Sequence, residues 1–308
     1  MAKMKKTAII FSGQGAQYPG MGRELYENSL AARAVFEIAE KLRPGTLGQI
    51  FSGSDADLAR TENTQPCVFC VDLAAAAALK EAGVRAEMLA GFSLGELAAL
   101  AFSGAVTYED GFRLVCKRAE LMQEASDGID AGMVAVLKLT DAQVIKICDD
   151  FEGAYPVNFN CDGQVVVASA KSALGHLMIR VKEEGGRAMP LKVGGGFHSP
   201  FMAGASAAFA DILDEFEIGR PELPLYSNVT AKPYGRDIKE LLAKQICSPV
   251  LWRAAVDDMI LSGANTFIEA GPGKTLCGLV SRISDKVRVF NVENSETLKY
   301  TINSVLRR

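Results

Sequence analysis

Residues 91–95 read Gly-Phe-Ser-Leu-Gly, and this Gly-x-Ser-x-Gly stands between a short apolar run, Glu87–Gly91, and a helical pattern, Glu96–Ser103, closed by Gly104. A serine on a strained strand-to-helix turn needs small neighbours, because the backbone crowds around it. A strand that runs directly into a helix suits an α/β architecture, and the alternation of strands and helices outside the middle of the chain leads to the expectation of a core with a mostly parallel sheet. The following helix points its N-terminus at the serine. Its free N–H groups, with that of Leu94 in front, can stabilise a developing oxyanion. Ser93 is therefore the candidate nucleophile.

The rest of the chain fits that frame. Thr7–Phe11 is a short apolar run closed by Ser12-Gly13, a buried strand entering a glycine-rich turn. Helices are expected over 22–42, over 64–82 with Pro66 marking the start, and from the capping-box-like Thr107-x-x-Asp110 to about Ala125. The middle then changes character. Met133–Leu139, Tyr155–Asn160, Gln164–Ser169 and Arg187–Val193 read as strands, with helices over 141–150, opened by Asp141, and over 171–185. The order β-α-β-β-α-β is the ferredoxin-like arrangement. It begins after Ser126-Asp-Gly-Ile-Asp130 and closes at Gly194-Gly-Gly196. The expected division is a core of 1–127 and 196–308 with an inserted ferredoxin-like subdomain over 128–195.

Composition narrows the class. The 308 residues are 49% hydrophobic and 23% charged, an ordinary globular balance that excludes disorder and coiled coil. A net charge of −4 argues against gripping nucleic acid through its phosphates. The seven cysteines are odd in number and irregularly spaced, unlike a disulfide framework. No stretch approaches the roughly 18–20 apolar residues of a membrane span. The N-terminus starts basic, but its apolar run is too short for a signal peptide. The expectation is a reduced, soluble, cytoplasmic protein without a metal.

A nucleophilic serine needs a base, and the chain has two histidines. His176 falls beside the apolar stripe of its helix and reads as a surface or boundary residue. His198 lies in the loop Gly194-Gly-Gly-Phe-His-Ser-Pro200, and loops on a rigid scaffold are where catalytic groups concentrate. His198 is the better candidate. No aspartate between Ser93 and His198 stands out as a third member, and a backbone carbonyl could orient the imidazole instead. On the helix from Thr107, Arg118 shares an inward stripe with Gly111, Val115 and Met122. A guanidinium there needs an anion, either a structural carboxylate or that of a substrate. Gly13-Gln14-Gly15 lacks the third glycine of a dinucleotide fingerprint, since Tyr18 stands there; its glycines suit an approach of the Gln14 N–H to the oxyanion. Gly271-Pro-Gly-Lys-Thr275 is not a phosphate loop, because Ile268 replaces the required glycine. Cys67-x-x-Cys70, inside a helix with no second pair, reads as core packing.

Taken in order, these segments resemble the malonyl-CoA:acyl carrier protein transacylase (FabD-type acyltransferase) family. The matching motifs are Phe-Ser-Gly-Gln-Gly-Ala-Gln (11–17), Thr64-Gln65-Pro66, Gly91-Phe-Ser-Leu-Gly-Glu96, Arg118 with Met122-Gln123, Asn158-Phe-Asn160 with Gln164, Gly196-Phe-His-Ser199, Ser227-Asn-Val229, Gln245 with Pro249-Val250, and Glu269-Ala-Gly-Pro-Gly273. The resemblance implies an α/β-hydrolase-like core carrying the ferredoxin-like insertion. It implies transfer of malonyl from coenzyme A to Ser93, with His198 as base, and then to the phosphopantetheine thiol of acyl carrier protein, as in fatty acid biosynthesis. Coenzyme A enters as a substrate thioester, and no cofactor is implied. Arg118 would pair with the free malonyl carboxylate, and Gln14 and Leu94 would form the oxyanion hole. Gln245 would orient His198 through its backbone carbonyl. Gln65, Asn160, Gln164 and Met122 would line the acyl or carrier site, and Phe197 would crowd a 2-methyl branch. Phe92 departs from the family's usual histidine, and Cys67 from its usual alanine. The alternatives are an acyltransferase serving a polyketide synthase, an esterase of the α/β-hydrolase kind and a carrier-binding module.

Overall fold

The computed structural model describes residues 6–191 and 193–306. Residues 1–5 and 307–308, at the ends of the expected core, and Lys192 of the expected strand Arg187–Val193 lie outside the described residues.

The chain opens with β1 (Lys6–Phe11), then α1 (Arg23–Asn28), α2 (Leu30–Leu42), α3 (Thr46–Ser52), α4 (Asp55–Ala59) and α5 (Thr61–Glu81). β2 (Met88–Gly91), α6 (Gly95–Phe102) and α7 (Tyr108–Asp127) follow. The middle comprises β3 (Ala131–Leu137), α8 (Asp141–Asp149), β4 (Ala154–Cys161), β5 (Gln164–Ala170), α9 (Lys171–Glu183) and β6 (Arg187–Pro190). The last part runs through α10 (Ala203–Asp214), β7 (Leu225–Tyr226), α11 (Ile238–Gln245), α12 (Trp252–Leu261), β8 (Ala264–Ala270), α13 (Thr275–Ile283), β9 (Arg288–Val292) and α14 (Ser295–Leu306).

The larger sheet runs β7-β2-β1-β8-β9, with every neighbouring pair parallel. Ala8 to Phe11 are fully buried because helices cover both faces, which is why this strand reads as an unbroken apolar run rather than an alternation. From β1 the chain moves outward to β2 on one side, and β8 returns on the other. A crevice at the carboxyl ends of strands that diverge in this way is the natural ligand site of an open α/β sheet. Behind the sheet, α5 is buried from Thr64 to Leu79. Its run Ala74–Ala78 carries no bulk, so α2, α6 and α7 all pack against it.

The smaller sheet runs β4-β5-β3-β6 and is antiparallel throughout. Its two faces separate by the two-residue period of a strand. Val134, Val136, Val165 and Val167 pack under α8 and α9 with Val144, Ile147, Leu177 and Val181. Met133, Ala135 and Val166 turn the other way, toward the larger sheet's carboxyl edge. The segment before α12 ties the two sheets, since the Val250 N–H donates to Val157 and the Phe159 N–H donates to Val250.

Several expected boundaries move, each for a local reason. The helix expected over 22–42 breaks at Ser29, whose hydroxyl accepts the Ala32 N–H at 3.1 Å and caps α2. α5 starts at Thr61, so Pro66 lies inside it rather than at its first turn. Thr140, not Asp141, caps α8 through a reciprocal bond with Gln143. β6 ends at Pro190, and Leu191 and Val193 line the crevice instead of extending the strand. His176 is exposed, and Cys67 and Cys70 are buried in the core. Among the described residues no helix is long and apolar enough to cross a membrane.

Candidate active site

The two sheets enclose a crevice of about 250 Å³ over the ends of β1 and β2. Gln14, Ser93, Met122, Asn160, Gln164, Phe197 and His198 all line it, so residues spread over 185 positions of sequence meet in one place.

Ser93 sits on the turn between β2 and α6 with φ of 54°, a left-handed conformation that a serine adopts only under constraint. The flanking glycines make the turn possible. A Cβ at Gly91 would lie 2.0 Å from the Gly95 carbonyl carbon, and one at Gly95 would lie 2.4 Å from the Phe11 and Ser12 carbonyl oxygens. Asn228, just after β7, holds the turn from outside: its Oδ1 accepts the Ser93 N–H at 2.8 Å and its Nδ2 donates to the Gly91 carbonyl at 2.7 Å.

His198 is also left-handed, with φ of 61°, and is buried. Its Nδ1 lies 2.8 Å from the Gln245 carbonyl oxygen, and its Nε2 lies 2.8 Å from Ser93 Oγ. A carbonyl only accepts, so Nδ1 carries the proton and the Nε2 lone pair faces the serine hydroxyl. That is the tautomer a general base requires. The orienting group is a carbonyl, in the place a carboxylate takes in a triad. Burial, with the nearby Arg118 cation second, pushes the imidazole down to about 4, so it is neutral at ordinary pH.

Arg118 comes from the inward face of α7 and is 1% exposed. Nη1 donates to Gln65 Oε1 at 2.6 Å, and Nη2 donates to Gln245 Oε1 at 2.7 Å and to Ser93 Oγ at 3.3 Å. Among the described residues no carboxylate pairs directly with it. Desolvation lowers its pKa to about 10, partly offset by Glu96, so it keeps its charge. A buried guanidinium that touches the nucleophile, with only neutral partners, is suited to an anion brought in on the acyl group.

The remaining expected residues divide into two layers. Gln14 follows β1 in the loop beneath the crevice, and its side chain donates to Thr61 at 3.2 Å. The Leu94 N–H caps α6 and belongs to the first-turn donors that a helix cannot satisfy from within. Asn160 Oδ1 is buried without a partner among the described residues and faces the crevice. Gln164 stands on the crevice wall and accepts from Arg282 at 2.5 Å. Gln65, expected beside the substrate, is buried one layer back, between Arg118 and the Met122 sulfur. Phe92 packs edge-on against Trp252 with ring centroids 5.5 Å apart.

Three participants carried no role in the sequence reading: Asn228, Glu96 and Tyr234. Glu96 lies at the start of α6 and accepts from the Tyr234 hydroxyl, the Gln245 side chain and the Asn228 N–H. Asn228 and Glu96 fall within family motifs and Tyr234 within none, and nothing local in Ser-Asn-Val or Gly-Glu indicates that they would converge behind the serine.

Known proteins show the same arrangement of chain. A malonyl CoA-acyl carrier protein transacylase of Bacillus subtilis is 36% identical over 311 residues, covering 98% of each chain. One from Staphylococcus aureus is 36% identical over 306 residues, 96% of this chain and 98% of that protein. The crystal structure of malonyl CoA-acyl carrier protein transacylase from Clostridium perfringens superposes with a TM-score of 0.94 at 38% identity, covering 98% of both chains. A malonyl-transacylase in complex with its type II polyketide synthase acyl-carrier protein gives 0.94 at 29% identity, over 99% of this chain and 100% of that one. The family model for the acyl transferase domain matches residues 8–297, which span both sheets and every residue placed at the crevice, and the chain belongs to that family.

Proposed function

We propose that this chain moves a malonyl group from coenzyme A to the phosphopantetheine thiol of an acyl carrier protein, through an ester on Ser93. The observation that carries the reading is the meeting of two groups on one oxygen: His198 Nε2 at 2.8 Å and Arg118 Nη2 at 3.3 Å from Ser93 Oγ. The first makes the serine a nucleophile, and the second selects an acyl group that ends in a carboxylate.

The steps follow from the tautomer. Ser93 Oγ attacks the thioester carbonyl while its proton passes to His198 Nε2. The oxyanion is held by the N–H groups of Gln14 and Leu94. Collapse breaks the C–S bond, and the imidazolium returns the proton to the departing coenzyme A thiolate. The carrier thiol then reverses the sequence, giving its proton to His198 as its sulfur attacks the ester and restoring Ser93. Gln245 steadies the imidazole, and Arg118 fixes the acyl carboxylate and so the ester's orientation. Asn160, Gln164 and Met122 contact the acyl-thioester arm, Gln65 backs Arg118, and Phe197, beside the base, crowds a 2-methyl branch. Coenzyme A is a substrate in this scheme, and the chemistry calls for no resident cofactor.

The same reading treats the parallel sheet as an α/β-hydrolase-like core and residues 128–195 as a ferredoxin-like insertion that roofs the crevice. The reading places the reaction in the cytoplasm and in fatty acid biosynthesis, the latter in keeping with the transacylase names of the relatives. The polyketide carrier complex among the structural relatives keeps a polyketide carrier as the second reading. The test is direct. The protein is incubated with malonyl-CoA, the peptide containing Ser93 is examined for a malonyl mass, and carrier protein is added. Transfer to the carrier is the expected result. Release of free malonate in place of transfer identifies an esterase, and absence of the adduct identifies a binding module.

A further inference from the structure

Glu96 lies directly behind Ser93, fully buried, and the transfer steps make no use of it. Every contact it makes is with a donor. The Tyr234 hydroxyl donates to Oε1, Gln245 Nε2 donates to Oε2 at 2.8 Å, and the Asn228 N–H reaches both oxygens at 3.3 and 3.2 Å. An ionised carboxylate accepts and never donates, so this pocket is built for the anion.

The consequence runs through the Gln245 amide, whose two ends are not interchangeable here. Nε2 donates to Glu96 and to the Ser93 carbonyl, each at 2.8 Å, and Oε1 accepts from Arg118 at 2.7 Å. A flipped amide would set NH2 against the guanidinium and an oxygen against the carboxylate and the Ser93 carbonyl, three repulsive pairings in place of three bonds. We infer that Glu96 is a positioning residue: its negative charge locks the Gln245 amide with Oε1 toward Arg118, and so fixes the guanidinium where an acyl carboxylate must meet it. The inference rests on the proposed role of Arg118.

The charged and titratable groups around Glu96 are few. Arg118 approaches from α7 without touching it, and Tyr234 comes from the segment after β7, with Asp237 acting on that hydroxyl. His198 lies on the far side of Ser93. Burial, partly offset by its donors and by Arg118, raises the Glu96 carboxyl to about 7. The lock is therefore full at alkaline pH, and it loosens as the pH falls through that value.

The experiment compares malonyl-CoA with acetyl-CoA on the full chain, as the ratio of their kcat/KM values. This ratio cancels the titration of His198, which serves both donors. Wild-type enzyme is first shown to form the malonyl adduct on Ser93; its absence would remove the underlying reading, whereas the comparisons below bear on Glu96 alone. In Glu96→Gln the preference for malonyl should fall about tenfold or more, with acetyl transfer changed less than about threefold. In wild type the preference should decline as pH drops through about 7, and in Tyr234→Phe, which removes one donor to the anion, that midpoint should rise by up to about one pH unit. Equal losses for both donors would overturn the inference. So would a malonyl preference that rises on acidification, because a residue that only neutralised Arg118 would release its cation when protonated. If Glu96→Gln does not fold, the wild-type and Tyr234→Phe profiles decide.

Discussion

On the proposed function, truncation of Arg118 to alanine separates recognition of the acyl group from the chemistry that moves it. In the proposed malonyl ester on Ser93, the free carboxylate carbon would be three bonds from Oγ, at most about 4 Å away by ordinary bond lengths. Arg118 Nη2 lies 3.3 Å from that same Oγ, so guanidinium and carboxylate fall within direct reach of each other. Two parallel charge-assisted hydrogen bonds in a water-poor site contribute about 1.5–3 kcal/mol each, or roughly 3–5 kcal/mol together. At 1.36 kcal/mol per tenfold, that is a loss of about 10²–10⁴ in kcat/KM for malonyl-CoA. Acetyl lacks the carboxylate, and Ser93, His198 and Gln245 remain, so acetyl transfer should fall by no more than about fivefold. The Oε1 atoms of Gln65 and Gln245 each lose a donor, which space left by the side chain allows water to replace. The assay is acyl transfer to carrier protein under matched conditions for both thioesters. Equal losses would refute the reasoning, and assign Arg118 to holding Ser93 and Gln245 in place rather than to reading the acyl group.

Three further outcomes follow from the same geometry. Asn228→Ala leaves the Ser93 N–H and the Gly91 carbonyl without their partner; stability in a denaturant titration should drop by about 2–4 kcal/mol and kcat by at least about tenfold. Gly95→Ala drives a methyl group to 2.4 Å from two backbone oxygens of the β1 loop, neither of which can yield without breaking the sheet, and should give little soluble protein with a native circular dichroism spectrum. His198 is held at about 4 when folded, against its ordinary 6.5. Because the folded value is depressed, the unfolded chain takes up the proton first. Acidification from about 6.5 to about 4 should therefore cost up to about 3 kcal/mol of stability from this residue, regained in His198→Gln, while acetyl transfer, which depends on the neutral base but not on Arg118, persists until the pH nears 4.

Much of this site was legible one segment at a time. The strand–serine–helix junction was readable because apolar periodicity and two glycines mark it locally, and the same patterning separated the β-α-β-β-α-β run from its surroundings. His198 was selected over His176 because one lay in a glycine-rich loop and the other on a helix. Helix starts were read less well. Pro66 and Asp141 are both acceptable near a helix N-terminus, yet the boundary was set by the residue whose side chain could cap or whose carbonyl could be reached. The network behind the serine was not readable at all. Asn228 follows a two-residue strand, and Glu96 sits where a helix would carry any acidic residue in its first turn.

The amino-acid sequence alone determined which groups could do chemistry: a serine on a tight turn, a loop histidine and an arginine on an apolar helix face. Residue type and short-range spacing suffice for that, because turns, caps and helix faces are properties of neighbouring residues. The tertiary structure decided how those groups act on one another. A carbonyl at 245 fixes the tautomer at 198, a glutamate at 96 is buried among donors, and Gln65 stands behind the guanidinium rather than on the crevice wall. These relations depend on distances of a few ångströms between segments more than a hundred residues apart, and only the packing of the two sheets brings them about.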